Sequence, residues 1–264
     1  TTAMSHALPD RWPADWPSPG DINLAEQDLP HASATTEWWY QNCHLTTLSG
    51  RKLSLFSSFF RIVVGIDEVT KQRVHAHSIT WAIADVDGKV LHTVSKVDQD
   101  APRLGLEKLD RGEGTHDKRL RRAMREVLEK GQVPWPDRLF EDPIFVSERR
   151  LELDFAGDTL TRTDAGAYQL QLSDGITGGA ANILITPQKK ACRHGDNGVV
   201  KAVQGEDMFY YFIPRCSVTG TIRIAGVDEV LAEGSSAWVD HEFGHHGAVS
   251  EPTARPEDGE VAGK

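Results

Sequence analysis

A chain of 264 residues with 39% hydrophobic and 26% charged residues is long enough to bury a substantial core and too apolar for wholesale disorder. Its formal net charge of −10 argues against nucleic-acid binding, which draws affinity from Lys and Arg neutralising phosphates. No apolar run approaches the roughly 20 residues of a membrane-spanning helix, no basic-then-apolar leader stands at the N-terminus, and the three cysteines (Cys43, Cys192, Cys216) make no CxxC pair, so the expectation is a cytoplasmic protein with no membrane span.

Residues 1–34 are rich in Pro, Asp and Trp without a period, and read as an extended arm laid over the body with Trp12 and Trp16 as anchors. A β domain is expected over 35–249. Its first strands read at 37–45, 52–64, 74–85 and 90–97, with turns at Gly50 and at Asp87-Gly88, a hairpin signal between two apolar runs. Leu120, Ala123, Met124, Val127 and Leu128 then recur at helical spacing and Gly131 stands where a helix stops. This is the one helix the pattern predicts. Its other face carries Lys118, Arg119, Arg121, Arg122 and Arg125, either a solvated face or a contact for an anion or partner. After Pro134, Pro136 and Pro143, alternation resumes at 151–155, 168–172 and 221–224, with more uniformly apolar segments at 182–186 and 208–213. Short strands separated by turn signals predict a mainly β barrel or sandwich with one amphipathic helix inserted. Residues 250–264 read as a polar tail or linker.

His241-Glu242-Phe243-Gly244-His245 is a literal H-E-x-x-H, but that zinc motif needs a helix to bring its two histidines onto one face. Gly244 and Gly247 sit inside it, a strand-like segment precedes it, and Ala248 and Glu251 stand where a longer protease motif has Gly and His. His75 and His77 have the spacing of β-borne ligands without a third partner, and a structural role is the plainer reading. No metal and no cofactor are expected. The chain lacks a G-x-S-x-G elbow, a Walker loop and a dinucleotide fingerprint.

Two aromatic-acidic clusters remain, Glu37-Trp38-Trp39-Tyr40 and Trp238-Val239-Asp240-His241-Glu242. On strands, Trp38 and Tyr40 face one way and Glu37 and Trp39 the other; Trp238, Asp240 and Glu242 share a face that Val239 and His241 do not. An Asp beside a Trp in an apolar cavity is desolvated, which raises its pKa and suits it to proton donation. Each cluster could equally be plain packing at a barrel end.

The two clusters, with Phe59-Phe60-Arg61, the strand Tyr210-Tyr211-Phe212-Ile213-Pro214 and Val218-Thr219-Gly220 between them, resemble the hydroxyneurosporene synthase (carotenoid 1,2-hydratase) and AttH family of lipocalin-like proteins. The resemblance covers residues 35 to 245. Phe243 replaces the family's usual Trp in W-x-D-H-(E/N)-W-G, and the family's second lipocalin-like domain does not follow. Either another chain or domain supplies that half, or it is dispensable.

The resemblance implies a lipocalin-like (calycin) barrel, an apolar cavity for a polyene, terpenoid or similar ligand, and cofactor-free hydration of a carbon-carbon double bond. Related lipocalin-like proteins catalyse cyclisations, including Diels-Alder reactions, in natural-product biosynthesis. On this basis the catalytic candidates are Asp240 as proton donor, His241 as positioner or relay, and Glu37. The substrate-binding candidates are Trp38, Trp39, Tyr40, Phe60, Arg61, Trp81, Tyr211, Trp238 and Glu242. Two alternatives stay open: a cyclase that works by folding its substrate, with Glu37 or Tyr40 merely polarising it, and a non-catalytic carrier of an apolar ligand.

Overall fold

The computed structural model describes residues 12–201 and 207–245. The predicted tail at 250–264 and the first residues of the arm lie outside the described residues. Among the described residues one open sheet of fifteen strands dominates. It begins with an antiparallel meander of β1 (Thr36–Thr46), β2 (Lys52–Ile66), β3 (Arg73–Asp85) and β4 (Val90–Val97). At the Asp87-Gly88 turn the Gly88 N–H donates to Asp85 Oδ1, and a Cβ there would lie 2.5 Å from Asp85 Oδ2. Glycine leaves room there for the Asp85 carboxylate, which a side chain would have to push aside.

The second arm runs through β6 (Ile144–Val146), β7 (Glu152–Phe155), β8 (Asp158–Arg162), β9 (Tyr168–Ser173) and β10 (Ala180–Pro187), after the short β5 (Arg138–Leu139) has paired in parallel with β4. β11 (Cys192–Arg193), β12 (Val199–Lys201) and β14 (Val227–Val230) pair with the long β13 (Asp207–Ile224), and β15 (Ser236–Gly244) sits between β1 and β13. The order β5-β4-β3-β2-β1-β15-β13-β10-β9-β8-β7-β6 leaves β5 and β6 unpaired with each other. The sheet is a curled, open half-barrel of the calycin type. Its inner faces share one core: Phe59 of β2 meets Phe155 of β7 edge-on at 5.2 Å, and the Trp81 indole donates to Asp158 Oδ2 across the same space.

Two expectations are corrected. The segments at 208–213 and 221–224 are one strand, β13, carried past Pro214 by a register shift between Ile213 and Cys216. The helix is not single: α3 (Lys118–Glu129) is paired with α2 (Ala101–Asp110), and a short α1 (Leu24–Gln27) lies in the arm. Pro102 stands in the first turn of α2, where its missing N–H costs nothing, and Gly105 lets α3 approach, since a Cβ there would lie 3.0 Å from Leu128. Asp117 caps α3 by accepting from the N–H groups of Arg119 and Leu120. The basic face of α3 is partly tied into this hairpin, with Arg121 donating to the carbonyls of Leu109, Glu113 and Thr115 and Arg125 to Asp110.

The arm packs on the inner side of the sheet. Trp16 lies edge-on against Phe209 and Phe243, and Trp12 stacks on Trp16. No helix among the described residues is long and apolar enough to cross a membrane.

Candidate active site

Strand alternation divides the candidate residues between the two faces of β2-β1-β15-β13. Across the sheet, Arg61, Glu37, Phe243 and Phe209 form one row and Phe59, Trp39, His241 and Tyr211 another, both on the inner face. Between them run Phe60, Trp38, Glu242 and Tyr210, then Ser58, Tyr40, Asp240 and Phe212, on the outer face. The structure thus brings together Trp38, Tyr40, Phe60, Trp238, Asp240 and Glu242 outside. Inside lie Glu37, Trp39, Arg61, Trp81, Tyr211 and His241. Asp240 and His241, adjacent in sequence, serve different surroundings.

On the inner face Glu37 is 1% exposed and Oε2 accepts from His31 Nδ1 at 2.8 Å and from His241 Nε2 at 2.7 Å. Its Oε1 accepts from the His31 backbone N–H at 2.8 Å and lies 4.0 Å from Arg61 Nε. The Tyr211 hydroxyl bridges His241 Nδ1 and Asp28, and the Tyr168 hydroxyl donates to Asp28 Oδ2 at 2.7 Å. Burial pushes the Glu37 carboxyl up, but the bonds from His241 and His31 and their charge outweigh it and hold it at about 2. Burial raises the Asp28 carboxyl against its tyrosine bonds, and lowers His241 against its bond to Glu37. Trp39 donates to the Asp28 carbonyl, and Trp81 is enclosed in the core. This network ties the arm to the sheet through groups that solvent does not reach.

The outer face is half-buried. Trp38 stacks on Phe60 and meets Tyr40 edge-on, each with ring centroids 6.0 Å apart, and Trp238 lies flat on Phe212 at 4.6 Å. The Trp238 indole and the Tyr210 hydroxyl both donate to Asp240. Burial raises the Asp240 carboxyl against those two bonds. Burial, with the charge of Asp240 beside it, pushes Glu242 up to about 7. Burial also raises the Tyr40 and Tyr210 hydroxyls, with Asp240 adding to the shift of Tyr210. Beside this face, a hollow of about 540 Å³ opens between β2-β3 and α2, lined by Phe60, Ile62, Val64, Ala76, Ala101 and Leu104 among others. That is within the usual range for small-molecule sites, about 300–1,000 Å³.

Among the described residues, the group whose atoms approach closely enough for a metal is His31, Glu37 and His241. Their donor atoms are already engaged with one another, and Gln27 Oε1 and the Tyr211 hydroxyl occupy the far ring nitrogens. His241 to Gly244 run as a strand, so the H-E-x-x-H has no helical face to offer. His77 contacts Asp98, and His75 is held near 4 by burial and by Arg61.

Sequence reasoning missed Asp28, His31 and Tyr168 inside, and Tyr210, Phe212 and His194 outside. Tyr210 carried a signal, since period 2 must put it opposite Tyr211; His194, which stacks on it at 4.8 Å, carried none.

Neither a family model nor a curated protein sequence matches the chain. Among solved structures, a candidate AttH from Nitrosomonas europaea matches 88% of this chain and 58% of its own length, at 16% identity and a TM-score of 0.59. The likeness is one of fold. Kievitone hydratase from Nectria haematococca matches 84% of this chain and 51% of its own, at 10% identity and a TM-score of 0.52. The chain spans little more than half the length of either structure, and shares with them the calycin-like half-barrel.

Proposed function

We propose that this chain is an acid–base enzyme acting on an apolar, unsaturated small molecule, by hydration or cyclisation, on the outer face of β1, β15 and β13. The observation that carries this reading is the pairing of Asp240 with Glu242 in an aromatic surround, with Glu242 poised at about 7. A group at that value is both protonated often enough and acidic enough to donate near neutrality, and a positioned acid contributes about 10²–10⁴ in rate. Glu242 rather than Asp240 is then the donor. Its proton adds to one carbon of the double bond as the π electrons form the new C–H bond, leaving a cation on the other carbon. The faces of Trp38, Tyr40 and Tyr210 stabilise that cation, by about 1–2 kcal/mol where water is excluded. Capture by water, with Asp240 taking the released proton, completes a hydration. Capture by a second double bond of the same molecule closes a ring and moves the cation onto it; loss of a neighbouring C–H proton to the Glu242 or Asp240 carboxylate then leaves a cyclic alkene of unchanged mass.

The inner network then acts as scaffold: Glu37 and His241 fix β1 against β15, and so set the spacing of Trp38 and Glu242. Aromatic rings on the outward side of a sheet, where polar residues are the rule, favour a covering partner. A second lipocalin-like unit in that role fits the half-length match to the two solved structures. Three unpaired cysteines suit action in a reducing compartment.

The test is incubation with a panel of prenylated, terpenoid and polyketide alkenes in ¹⁸O-labelled water. Hydration yields a product heavier by one labelled water, and cyclisation one of unchanged mass. Glu242→Gln should lose either product while still binding the substrate. Full turnover by that variant overturns the assignment, and binding without any product makes the protein a carrier.

A further inference from the structure

Alternation along β2 puts Phe60, Ile62 and Val64 on the outer face, where they floor the hollow together with Ala76 of β3, and α2 roofs it with Ala101 and Leu104. From Phe60 to Val64 the floor is about 13 Å long. This lining is apolar yet uncovered: Val64 is 37% exposed, and Ile62 and Leu104 are only partly buried. Lys108, Arg111 and Glu113, all exposed, stand at the C-terminal side of α2, where the hollow meets water. Phe60 belongs to two places. It lines the hollow and also stacks on Trp38 with ring centroids 6.0 Å apart, while Trp38 faces Glu242 across β1–β15. Phe60, Trp38 and Glu242 are each only partly buried, so the strip from the acid to the hollow is open to a ligand. Its length is two strand spacings, about 10 Å.

Resting on the reading of Glu242 as the acid, we infer that the hollow is a chain-length subsite. The part of the substrate remote from the reacting double bond lies in it, and Ala76 in the floor and Leu104 in the roof decide how long an apolar chain the enzyme accepts. An extended chain covers about 1.2 Å per bond, so roughly eight bonds span the strip from Glu242 to Phe60. What lies beyond them enters the hollow. A cavity of about 150 Å³ admits benzene, so 540 Å³ takes roughly twenty carbons. Ala76 has the smallest side chain of the floor and pairs with Ile62 at its middle, where a larger group would divide the space. Recognition of this kind is burial of hydrocarbon away from the double bond, and leaves protonation at carbon as described above.

The experiment measures binding to the full chain, by equilibrium dialysis, of geraniol and geranylgeraniol, acyclic alcohols of ten and twenty carbons. Each CH₂ taken from water is worth about fourfold in affinity, so ten further carbons, half of them left wet, should tighten binding about a hundredfold or more. Ala76→Phe should weaken geranylgeraniol about tenfold or more and leave geraniol, which only spans the strip, within about threefold. Thr93→Phe, the same ring at an exposed position of β4 outside the lining, should alter neither. If Ala76→Phe melts below the parent, Leu104→Trp makes the same test from the roof. Equal affinity for the two alcohols, no binding of either, a length preference that survives the filled hollow, or one lost equally in Thr93→Phe each overturns the inference. Turnover that depends on Glu242 without any length preference sinks this inference alone; a length preference lost in Ala76→Phe, with turnover unaffected by Glu242→Gln, sinks the acid assignment alone.

Discussion

Replacing Glu37 by Gln tests the inner network through its pH dependence. In the folded chain the Glu37 carboxyl sits at about 2 against an ordinary 4.5, because His241 and His31 donate to it in a site closed to water. A carboxyl depressed on folding contributes stability that is fully present above its unfolded value and lost as pH falls through its folded value. For Glu37 the window runs from about 4.5 down to about 2, and the shift corresponds to roughly 3 kcal/mol. At neutral pH the substitution also leaves two buried imidazoles without their carboxylate, and breaking such a buried pair costs about 3–5 kcal/mol. Urea unfolding followed by tryptophan fluorescence at pH 7, 5 and 3 should show Glu37→Gln less stable by that amount at pH 7. The gap to the parent should narrow progressively below pH 5. Equal stabilities at pH 7, or a gap that stays constant down to pH 2, would refute the reasoning, because Glu37 would then carry no special proton affinity.

Glu242 has the opposite sign: its carboxyl is raised on folding, so the penalty for ionising it grows as pH climbs from 4.5 through about 7. Glu242→Gln should match the parent at pH 4 and exceed it by about 1 kcal/mol at pH 8 in urea unfolding, the shift being discounted for partial exposure. Turnover of the parent should fall as pH rises past about 7, and a rate that climbs with pH would exclude Glu242 as the donor. Gly220→Ala should destabilise by about 3 kcal/mol or more in thermal melts, since its φ of +129° is foreign to other residues and a Cβ would lie 2.2 Å from the Asn182 carbonyl oxygen. Tyr211→Phe, which strips the bridge between Asp28 and His241, should cost about 1–3 kcal/mol, whereas Tyr210→Phe next to it should cost less and move the pH midpoint of turnover.

The strands were legible because alternation and turn residues are local. The β4 span was read as it stands, and β1, β2 and β3 to within two residues at each end. The division of Trp38 and Tyr40 from Glu37 and Trp39 followed from period alone. Where the sequence misled, local signals had been overridden by packing. Pro102 and Gly105 look like helix breakers, yet one occupies a first turn and the other a close helix contact. Pro214 looks like a strand end, yet a bulge absorbs it inside β13. Asp28 was invisible because its partners Tyr168 and Tyr211 lie far along the chain; His31 bonds the nearby Gln27 and Glu37, but the arm has no period to reveal which side it covers.

The consequence for the two opening clusters is a separation of labour that neither motif displays as a string. In each, neighbouring residues belong to different electrostatic worlds. The inner carboxylates and histidines are enclosed and bonded to one another and to tyrosines, so their shifted pKa values express the balance of burial against those bonds. The outer set holds two carboxylates side by side with no cation among their hydrogen-bond partners, which is costly unless one stays protonated. Asp240 has a structural use in accepting from Trp238 and Tyr210, whereas Gln at 242 would pack as well as Glu without the repulsion. Retaining two acids there, against the stability they cost, is the pattern expected where the proton is used.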